Sequence, residues 1–229
     1  MGQFVKLTAA DGFNFPAYVV QPDGQPKGAV VVLQEIFGVN AHIRDVTDRF
    51  AAQGYLAIAP ATFERVKPAV DLGYDEAGMT EGIALKAAVG ALPGAGVMQD
   101  IQAAIDYAAK ASGAKVGIIG FCWGGLLAWR AACTLNGLSA AVPYYGGGIT
   151  AEAEIALQPK VPVMAHFSDR DHSVPMEGVV AFTRAHPEVV AHIYSADHGF
   201  NCDQRGAYNE DAAKLARERS LTFLAGQLA

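Results

Sequence analysis

The stretch Gly120-Phe121-Cys122-Trp123-Gly124 indicates more about this chain than any other part of its sequence. It directly follows an apolar run, residues 115–119, which is typical of a short, buried parallel strand. Residues 126–132, behind it, are typical of a helix. A strand that turns into a helix through two glycines makes a sharp, strained elbow, and its central side chain projects above the sheet. The pattern predicts a nucleophilic Cys122, the alternative being a glycine-rich turn with a structural thiol.

Length, charge and cysteine content restrict the class of protein. A chain of 229 residues forms either one large domain with a substantial core or two small ones. The formal net charge of −6, without a block of like charges, argues against a nucleic-acid-binding surface. Cys122, Cys133 and Cys202 show no framework spacing, which favours free thiols in a reducing compartment.

The beginning of the chain and its apolar stretches bear on where the protein acts. Residues 1–6 do not place a basic segment before an apolar core, so we expect no secretory signal. No apolar stretch approaches the roughly 20 residues that a bilayer-spanning helix needs. We therefore expect a cytoplasmic protein that does not bind membranes.

Strand-like and helix-like segments alternate along the chain. The predicted strands are residues 4–8, 13–20, 29–33, 56–59, 115–119, 140–144, 161–167 and 190–194. The predicted helices are residues 41–53, 80–89, 97–111, 126–132, 176–185 and 207–224. This alternation predicts an α/β fold with a mostly parallel central sheet and helices on both faces, opened by an antiparallel pair. We expect a single domain over residues 1–229, in which segment 66–96 forms part of a cap over a pocket.

Three loops at the carboxyl ends of predicted strands carry side chains suited to nucleophilic catalysis. Cys122 ends one strand, and His198 follows the strand at residues 190–194. Asp169 and Asp171 follow the strand at residues 161–167. Such loops meet at one edge of an open α/β sheet, and the order nucleophile, acid, histidine is that of the α/β-hydrolases. A histidine takes the thiol proton, a buried carboxylate fixes the imidazole tautomer, and the thiolate attacks a carbonyl.

The choice of acid and histidine rests on local context. Asp171 is favoured over Asp169 because it immediately precedes a turn that ends in Val174-Pro175. Either aspartate could instead be a solvated loop charge or a cap of the helix at residues 176–185. His198 is favoured among the six histidines because it lies beside a glycine on a loop that follows a strand.

A metal site is the alternative use of this region. His166, Asp169, Asp171 and His172 lie close together in the sequence. They lack the closely repeated histidines of a hydrolytic metal site. A catalytic triad explains the same part of the sequence more simply than a metal site does. We therefore expect neither a metal nor another cofactor.

The combination of motifs resembles the dienelactone hydrolase (carboxymethylenebutenolidase) family of α/β-hydrolases. The resemblance extends over nearly the whole chain and rests on five segments: Gln34-Glu35-Ile36-Phe37-Gly38, Gly120-Phe121-Cys122-Trp123-Gly124-Gly125, Tyr144-Tyr145-Gly146, Asp171-His172-Ser173-Val174-Pro175 and His198-Gly199-Phe200. A Gln-Glu-Ile-Phe-Gly loop together with a cysteine elbow is far more specific than any single segment. The resemblance therefore implies an α/β-hydrolase fold.

The resemblance also implies roles for individual residues. It implies a triad of Cys122, His198 and Asp171, with Glu35 close to the thiol in the resting enzyme. A carboxylate there would disfavour the thiolate until substrate displaces it. The alternative for Glu35 is a solvated carboxylate at the end of a strand.

An oxyanion hole formed by the backbone N–H groups of Ile36 and Trp123 is implied as well. This placement agrees with elementary electrostatics. Trp123 follows the nucleophile at the start of the predicted helix, where free N–H groups and the helix dipole favour negative charge.

The sequence departs from the family at the substrate. Members that act on carboxylated lactones hold the carboxylate with two arginines, one before the elbow and one four residues after the histidine. Here residues 74–82 contain no arginine, and Cys202 occupies the position four residues after His198. Arg205 and Lys86 are the remaining candidate cations, although such side chains are more often surface cations, and lysine does not replace a bidentate arginine.

Aromatic residues complete the set of candidate substrate-binding residues. Phe37 lies in the Gln-Glu-Ile-Phe-Gly loop, and Tyr74 begins the segment where the first arginine is missing. Tyr145 and Trp123 are expected to line the pocket, although both could equally be core aromatics.

The predicted function is hydrolysis of an activated ester or enol-lactone through a thioester intermediate, without a cofactor. The first alternative keeps the triad and changes the substrate to an aryl ester or an activated phosphoester such as a phosphotriester. The second is a non-catalytic binding module, which we would expect to lose one triad position, and none is lost here. The expected partner is a small-molecule substrate, and the expected assembly is a monomer or a homodimer.

Overall fold

A computed structural model describes residues 2–229 and contains an eight-stranded sheet. The strands are β1 (Gln3–Thr8), β2 (Asn14–Val20), β3 (Ala29–Leu33), β4 (Leu56–Pro60), β5 (Val116–Phe121), β6 (Leu138–Tyr144), β7 (Met164–Ser168) and β8 (Val190–Tyr194). The helices are α1 (Ala41–Ala52), α2 (Glu76–Gly90), α3 (Val97–Ser112), α4 (Trp123–Thr134), α5 (Glu152–Ile155), α6 (Met176–Ala185) and α7 (Glu210–Leu228).

The sheet is parallel except at one edge. The strand order is β1-β2-β4-β3-β5-β6-β7-β8. Strand β2 pairs antiparallel with both β1 and β4, whereas the pairs from β4 to β8 are parallel. The predicted α/β class with a mostly parallel sheet is therefore confirmed. Because the carboxyl ends of β3, β5, β7 and β8 point the same way, the loops that follow them meet at one edge.

Side chains of the central strands alternate between two apolar layers, as the two-residue period of a strand requires. In β3, Val31 and Leu33 pack in the layer that holds α3, α4 and α6. Val30 and Val32 pack in the opposite layer with α1 and α7. All four side chains have no exposed surface, so helices cover the middle of the sheet on both faces, as predicted.

Helix α7 approaches the centre of the sheet through two glycines. A Cβ atom on Gly117 would lie 2.8 Å from Cδ2 of Leu224, closer than packed atoms allow. One on Gly28 would lie 3.2 Å from Cβ of Leu228. The bare backbone of β5, and of the residue before β3, therefore lets the end of α7 sit directly on the sheet.

Three helices begin at residues other than those predicted: α4 begins at Trp123 rather than at residue 126, and capping explains the other two. Helix α2 begins at Glu76 rather than at residue 80, because the Asp75 carboxylate accepts a hydrogen bond from the Gly78 N–H at 2.7 Å. Helix α7 begins at Glu210 rather than at residue 207, where Asn209 accepts from the Ala212 N–H at 3.0 Å. The short helix α5 was not predicted, since one turn leaves little periodicity to detect.

The helices are those of a protein packed around a sheet. Within residues 2–229, none of them combines the length and the apolar character that spanning a membrane requires. The longest, α7, has 19 residues and carries charged side chains along its length.

Candidate active site

Cys122 occupies the elbow between β5 and α4. Its backbone has φ 54° and ψ −118°, a left-handed conformation that non-glycine residues rarely adopt. Hydrogen bonds hold it there: the Cys122 N–H donates to the Tyr144 carbonyl at 3.1 Å, and its carbonyl accepts from Gly125 N at 2.9 Å and Gly147 N at 3.2 Å. The strand, turn and helix predicted around Cys122 are all present, and the backbone itself fixes where the sulfur points.

Gly124 makes this elbow possible, and its replacement should be severe. A Cβ atom at this position would collide with the carbonyl oxygens of Leu33 and Gln34, at the end of β3. Because both obstacles are backbone, we expect Gly124→Ala to lower the free energy of unfolding by about 3 kcal/mol or more in urea denaturation. Gly226→Ala is the control, since nothing lies within 4 Å of its new Cβ and alanine should stabilise α7 by about 0.5–1 kcal/mol. Similar effects of the two substitutions would contradict the packing described here.

His198 and Asp171 meet at the same edge of the sheet. Nδ1 of His198 lies 2.8 Å from Oδ2 of Asp171. The other carboxylate oxygen of Asp171 accepts from the backbone N–H groups of Ser173 at 2.7 Å and Val174 at 3.0 Å. The carboxylate is thereby fixed in one orientation and directs Nε2 of His198 away from itself, free to face a reacting group.

Asp169 occupies a different environment. Its carboxylate accepts from the Ala196 N–H at 3.2 Å and lies 3.6 Å from Nη1 of Arg170. Its side chain is 44% exposed, whereas that of Asp171 has no exposed surface. The structure therefore brings Asp171, and not Asp169, to the histidine.

The electrostatic environment of His198 favours its protonated form. Burial lowers the pKa of His198, but the hydrogen bond to Asp171 and the neighbouring Cys122 sulfur outweigh burial and raise it to about 10. A protonated imidazole here places a positive charge beside the Cys122 sulfur.

A cavity of about 540 Å³ opens at these residues. Its walls come from the loop after β3, from α2 and from the loops that follow β5, β6, β7 and β8: Ile36, Phe37, Met79, Ile83, Lys86, Cys122, Gly147, Gly148, Arg170, His172, Ser173, Asp197, His198 and Arg205. Among the predicted substrate-binding residues, Phe37, Lys86 and Arg205 are in these walls. A ligand in the cavity would contact both Cys122 and His198.

Glu35 is buried beside this cavity in an ion pair. One carboxylate oxygen lies 3.1 Å from Nη1 of Arg205, and the other accepts from the Tyr74 hydroxyl at 3.1 Å. Only 1% of its surface is exposed, so the alternative of a solvated carboxylate was wrong. Arg205 is not a surface cation either, since its side chain is 15% exposed. Its charge is compensated by Glu35 at the cavity wall.

The two amides expected to form an oxyanion hole are available for that purpose. The N–H groups of Ile36 and Trp123 donate no hydrogen bond to any residue from 2 to 229. Trp123 is the first residue of α4, where N–H groups have no partner within the helix. Ile36 lies in the cavity wall together with Cys122.

Three aromatic side chains expected in the pocket are not among the residues of this cavity wall, and for Tyr145 and Trp123 the structure favours the alternative of a core aromatic. Tyr145 has φ 35° and no exposed surface, and its ring packs edge-on against His198 at 5.1 Å. The Tyr74 ring packs on Phe37 at 4.5 Å. The Trp123 ring stacks on Phe63 at 4.8 Å. Each ring therefore supports a residue or loop of the site from behind instead of facing the cavity.

The sequence reasoning missed two residues of the helical wall of the cavity, Met79 and Ile83. Together with the predicted Lys86, they line the cavity from α2 at positions i, i+4 and i+7. That spacing is the signal of one helix face, and it could have marked this stretch as facing a partner surface. Arg170 and His172 were also missed, because nothing in a loop sequence shows which of its side chains face the site.

The residues weighed as a metal cluster do not converge. Nδ1 of His166 lies 2.9 Å from the Tyr194 hydroxyl and its Nε2 lies 2.9 Å from the Ser220 hydroxyl. His172 lies in the cavity wall. Within the described chain, the group of donor atoms close enough to hold a metal ion consists of other residues: Glu35, His42 and Cys202.

Comparison with known proteins agrees with this geometry. The sequence model of the dienelactone hydrolase family matches residues 15–228. The carboxymethylenebutenolidase of Pseudomonas putida is 35% identical over 228 residues, which are 96% of this chain and 95% of that protein. A candidate carboxymethylenebutenolidase of Synechocystis sp. is 40% identical over 206 residues, 83% of this chain and 82% of that protein.

A solved structure is similar over its full length. The crystal structure of a candidate dienelactone hydrolase from Klebsiella pneumoniae superposes with a TM-score of 0.82 at 31% identity, covering 97% of this chain and 99% of that one. The esterase Pf2001 of Pyrococcus furiosus superposes with a TM-score of 0.70 at 17% identity, covering 100% of this chain and 91% of that one. Both similarities confirm the predicted α/β-hydrolase fold.

Proposed function

The chain belongs to the dienelactone hydrolase family and is a hydrolase, and from that premise we propose that it cleaves an activated ester or enol-lactone through a thioester on Cys122. One observation carries this proposal. A cysteine on a strained elbow lines the same cavity as a histidine that is hydrogen-bonded to a buried aspartate. These are the parts that nucleophilic acyl transfer needs.

The first step is attack on the acyl carbon. The Cys122 thiolate adds to the carbonyl, while His198 retains the proton that the thiol has given up. Asp171 keeps the imidazole in one orientation and stabilises its positive charge. The carbonyl oxygen becomes an oxyanion, which the N–H groups of Ile36 and Trp123 would bind.

Collapse of this intermediate expels the leaving oxygen and gives the thioester. His198 can protonate the leaving group, and it then accepts a proton from the water that attacks the thioester. A second oxyanion forms at the same amides, and its collapse releases the acid and regenerates Cys122. These steps use water and the side chains of the chain, without a cofactor.

The nature of the nucleophile restricts the substrate class. The tetrahedral intermediate of an ordinary alkyl ester can expel either the thiolate or an alkoxide. Because the thiolate leaves more readily, this intermediate returns to the starting ester. An enolate or phenolate leaves more easily, and the intermediate then proceeds to the thioester. We therefore propose a substrate with a stabilised leaving group, such as an enol-lactone.

The chain surrounding the site fits a single catalytic unit. We propose that residues 1–229 form one domain and that segment 66–96 covers the cavity. Its helix α2 contributes Met79, Ile83 and Lys86 to the cavity wall, and Gly82 approaches so closely that a Cβ there would collide with the Ile36 carbonyl. A substrate would therefore lie between α2 and Cys122.

A substrate screen tests the proposed function. The purified protein is assayed with dienelactone, p-nitrophenyl acetate and an aryl phosphotriester, each alongside Cys122→Ala. We expect turnover of dienelactone that disappears in the variant. Turnover of the phosphotriester alone would favour the alternative activity, and the absence of turnover with all three would favour a binding module.

The role of Glu35 gives a separate prediction. The carboxylate lies beside Arg205, which in turn is close enough to Cys122 for their charges to interact. Glu35→Gln removes a negative charge near the thiol and leaves the Arg205 charge uncompensated, and both changes favour the thiolate. We expect iodoacetamide to alkylate Cys122 faster in the free variant, measured across about pH 6–9, a range around the ~8.5 of free cysteine.

The exposed Glu177 offers a matched control for that measurement. Glu177→Gln makes the same chemical change on α6, away from the Glu35–Arg205 pair, and should leave the alkylation rate unchanged. An unchanged or slower rate in Glu35→Gln would contradict the proposed restraint on Cys122.

Substrate charge gives a further prediction. Of the cations in the cavity wall, Arg205 is paired with Glu35, and Arg170 interacts with Asp197 at 3.4 Å. Because a charge-assisted contact is worth about 1.5–3 kcal/mol, or one to two decades in binding, we expect weak discrimination between carboxylated lactones and neutral aryl esters. The measurement is kcat/KM for a matched pair of substrates with and without the carboxylate. A preference above roughly a hundredfold, lost in Arg205→Ala or Lys86→Ala, would show that these cations bind the carboxylate after all.

A further inference from the structure

A group of three buried side chains lies next to the active site, and two of them, His42 and Cys202, take no part in the proposed chemistry. Three residues each offer one donor atom, and these atoms lie within 4.8 Å of one another: Glu35, His42 and Cys202. His42 and Cys202 have no exposed surface, and Glu35 is 1% exposed. The loop after β3 supplies Glu35, the first turn of α1 supplies His42, and the loop before α7 supplies Cys202.

The imidazole of His42 is the unusual member of this group. Neither of its ring nitrogens has a hydrogen-bond partner among residues 2–229. Its Nδ1 lies 3.4 Å from Oδ1 of Asp203, which is a long contact for a hydrogen bond. A buried polar group without a partner is costly, so an imidazole held in this way points to something that it binds.

We propose that Glu35, His42 and Cys202 bind a divalent transition-metal ion of the Zn²⁺ type. Carboxylate, imidazole and thiolate are the ligands that Zn²⁺ takes in proteins. With bonds of about 2.0–2.3 Å, a tetrahedral ion places its ligand atoms roughly 3.5 Å apart. Donors within 4.8 Å of one another therefore need to approach by little more than about 1 Å.

Polar side chains lie beside two of the three ligands, His42 and Glu35. The Asp203 carboxylate faces Nδ1 of His42 and is itself held by Arg49 at 2.8 Å. A histidine that directs Nδ1–H to a carboxylate presents Nε2 to a metal, an arrangement common around zinc. The Tyr74 hydroxyl donates to Glu35 at 3.1 Å, which leaves the other carboxylate oxygen for Arg205 or for the ion.

Binding requires the Cys202 thiol to lose its proton. The ion replaces the thiol proton: a sulfur–metal bond forms, the S–H bond breaks, and one H⁺ passes to the buffer.

The site shares Glu35 with the active site. The carboxylate that would coordinate the ion is the one that pairs with Arg205 in the cavity wall. An ion at this site would therefore weaken the Glu35–Arg205 pair. The positive charge of Arg205 would then be free to interact with a ligand in the cavity. Metal binding itself does not depend on the proposed thioester chemistry.

Cobalt binding tests the site directly. Co²⁺ occupies Zn²⁺-type sites and shows a thiolate-to-metal charge-transfer band when a cysteine coordinates it. The parent protein is the Cys122→Ala variant, which removes the catalytic thiol as a competing ligand. We expect one Co²⁺ per chain, a charge-transfer band, and its loss when Zn²⁺ displaces the cobalt.

Two further substitutions in that parent locate the ligands. Adding Cys202→Ala should abolish the band, and adding His42→Gln should weaken Co²⁺ binding at least tenfold. Adding Cys133→Ala, which removes the remaining buried thiol on α4, should change neither. Circular dichroism melting shows that each variant is folded.

Two results would overturn the proposal. One is a parent protein without a charge-transfer band after long equilibration, and this result needs no second variant. The other is a band that persists without Cys202, which would place the ion elsewhere. A wild-type protein that turns over none of the substrates would contradict the proposed function. The cobalt measurement would still decide whether the metal site exists.

Discussion

Cys122→Ala should remove almost all hydrolysis of an activated ester. The substitution removes the sulfur and leaves the elbow intact, because the hydrogen bonds that hold it involve only backbone atoms. Loss of a nucleophile that acts together with its histidine lowers kcat by several orders of magnitude, so we expect kcat/KM to fall at least roughly 10⁴-fold. The assay uses dienelactone or p-nitrophenyl acetate, and the variant should retain the wild-type melting temperature.

Chemical modification provides an independent check on the same residue. Iodoacetamide should abolish activity, and substrate should protect against it. Cys133→Ala is the matched control, since Cys133 is a buried thiol of α4 outside the cavity wall. Full activity in Cys122→Ala would remove the proposed mechanism, whereas activity in Cys122→Ser would show only that the elbow accepts an oxygen nucleophile.

Asp171→Asn should lower kcat/KM by about 10³–10⁴-fold, the effect seen when an asparagine imposes the wrong histidine tautomer on a catalytic triad. The carboxylate opposes the effect of burial on His198 and is one cause of its raised pKa. Removing the carboxylate should therefore lower the pKa of His198. The pH dependence of kcat/KM and the NMR titration of His198 both measure this change.

Asp169→Asn separates this role from a general effect of charge. Both aspartates lie in the loop after β7, but the Asp169 carboxylate faces Arg170 and the Ala196 N–H. We expect its substitution to leave the pKa of His198 and the kinetics nearly unchanged. Equal losses in both variants would mean that Asp171 has no special relation to the histidine.

Much of the fold could be predicted because its signals are local. Each central strand is a short apolar run closed by a glycine, a proline or a polar loop, and this pattern identifies buried parallel strands. Helix boundaries were less accurate where one polar side chain decides them, as Asp75 and Asn209 do. Such caps compete with many similar residues nearby, so their sequence signal is weak.

Some residues of the site could also be predicted from local signals, whereas others depend on contacts between distant parts of the chain. Cys122 and His198 each lie directly beyond a strand, so topology alone brings them to one edge of the sheet. The partners of Glu35 could not be foreseen, because Arg205 lies 170 positions away along the chain. Nor does the sequence show that Tyr145 turns into the core, since its φ of 35° is set by the packing around it. Side-chain direction in a loop is a tertiary property.

Helix α7, which sits on the bare backbone of the central strands, has a consequence for how the protein is made. Leu224 and Leu228 follow all eight strands along the chain, yet they bury the middle of the sheet beside Gly117 and Gly28. The earlier strands can pair during synthesis, as N-terminal segments generally do. Part of one apolar face stays uncovered until α7 has been synthesised. Nascent chains stalled before α7 should therefore depend on chaperones, and chains that include α7 should not.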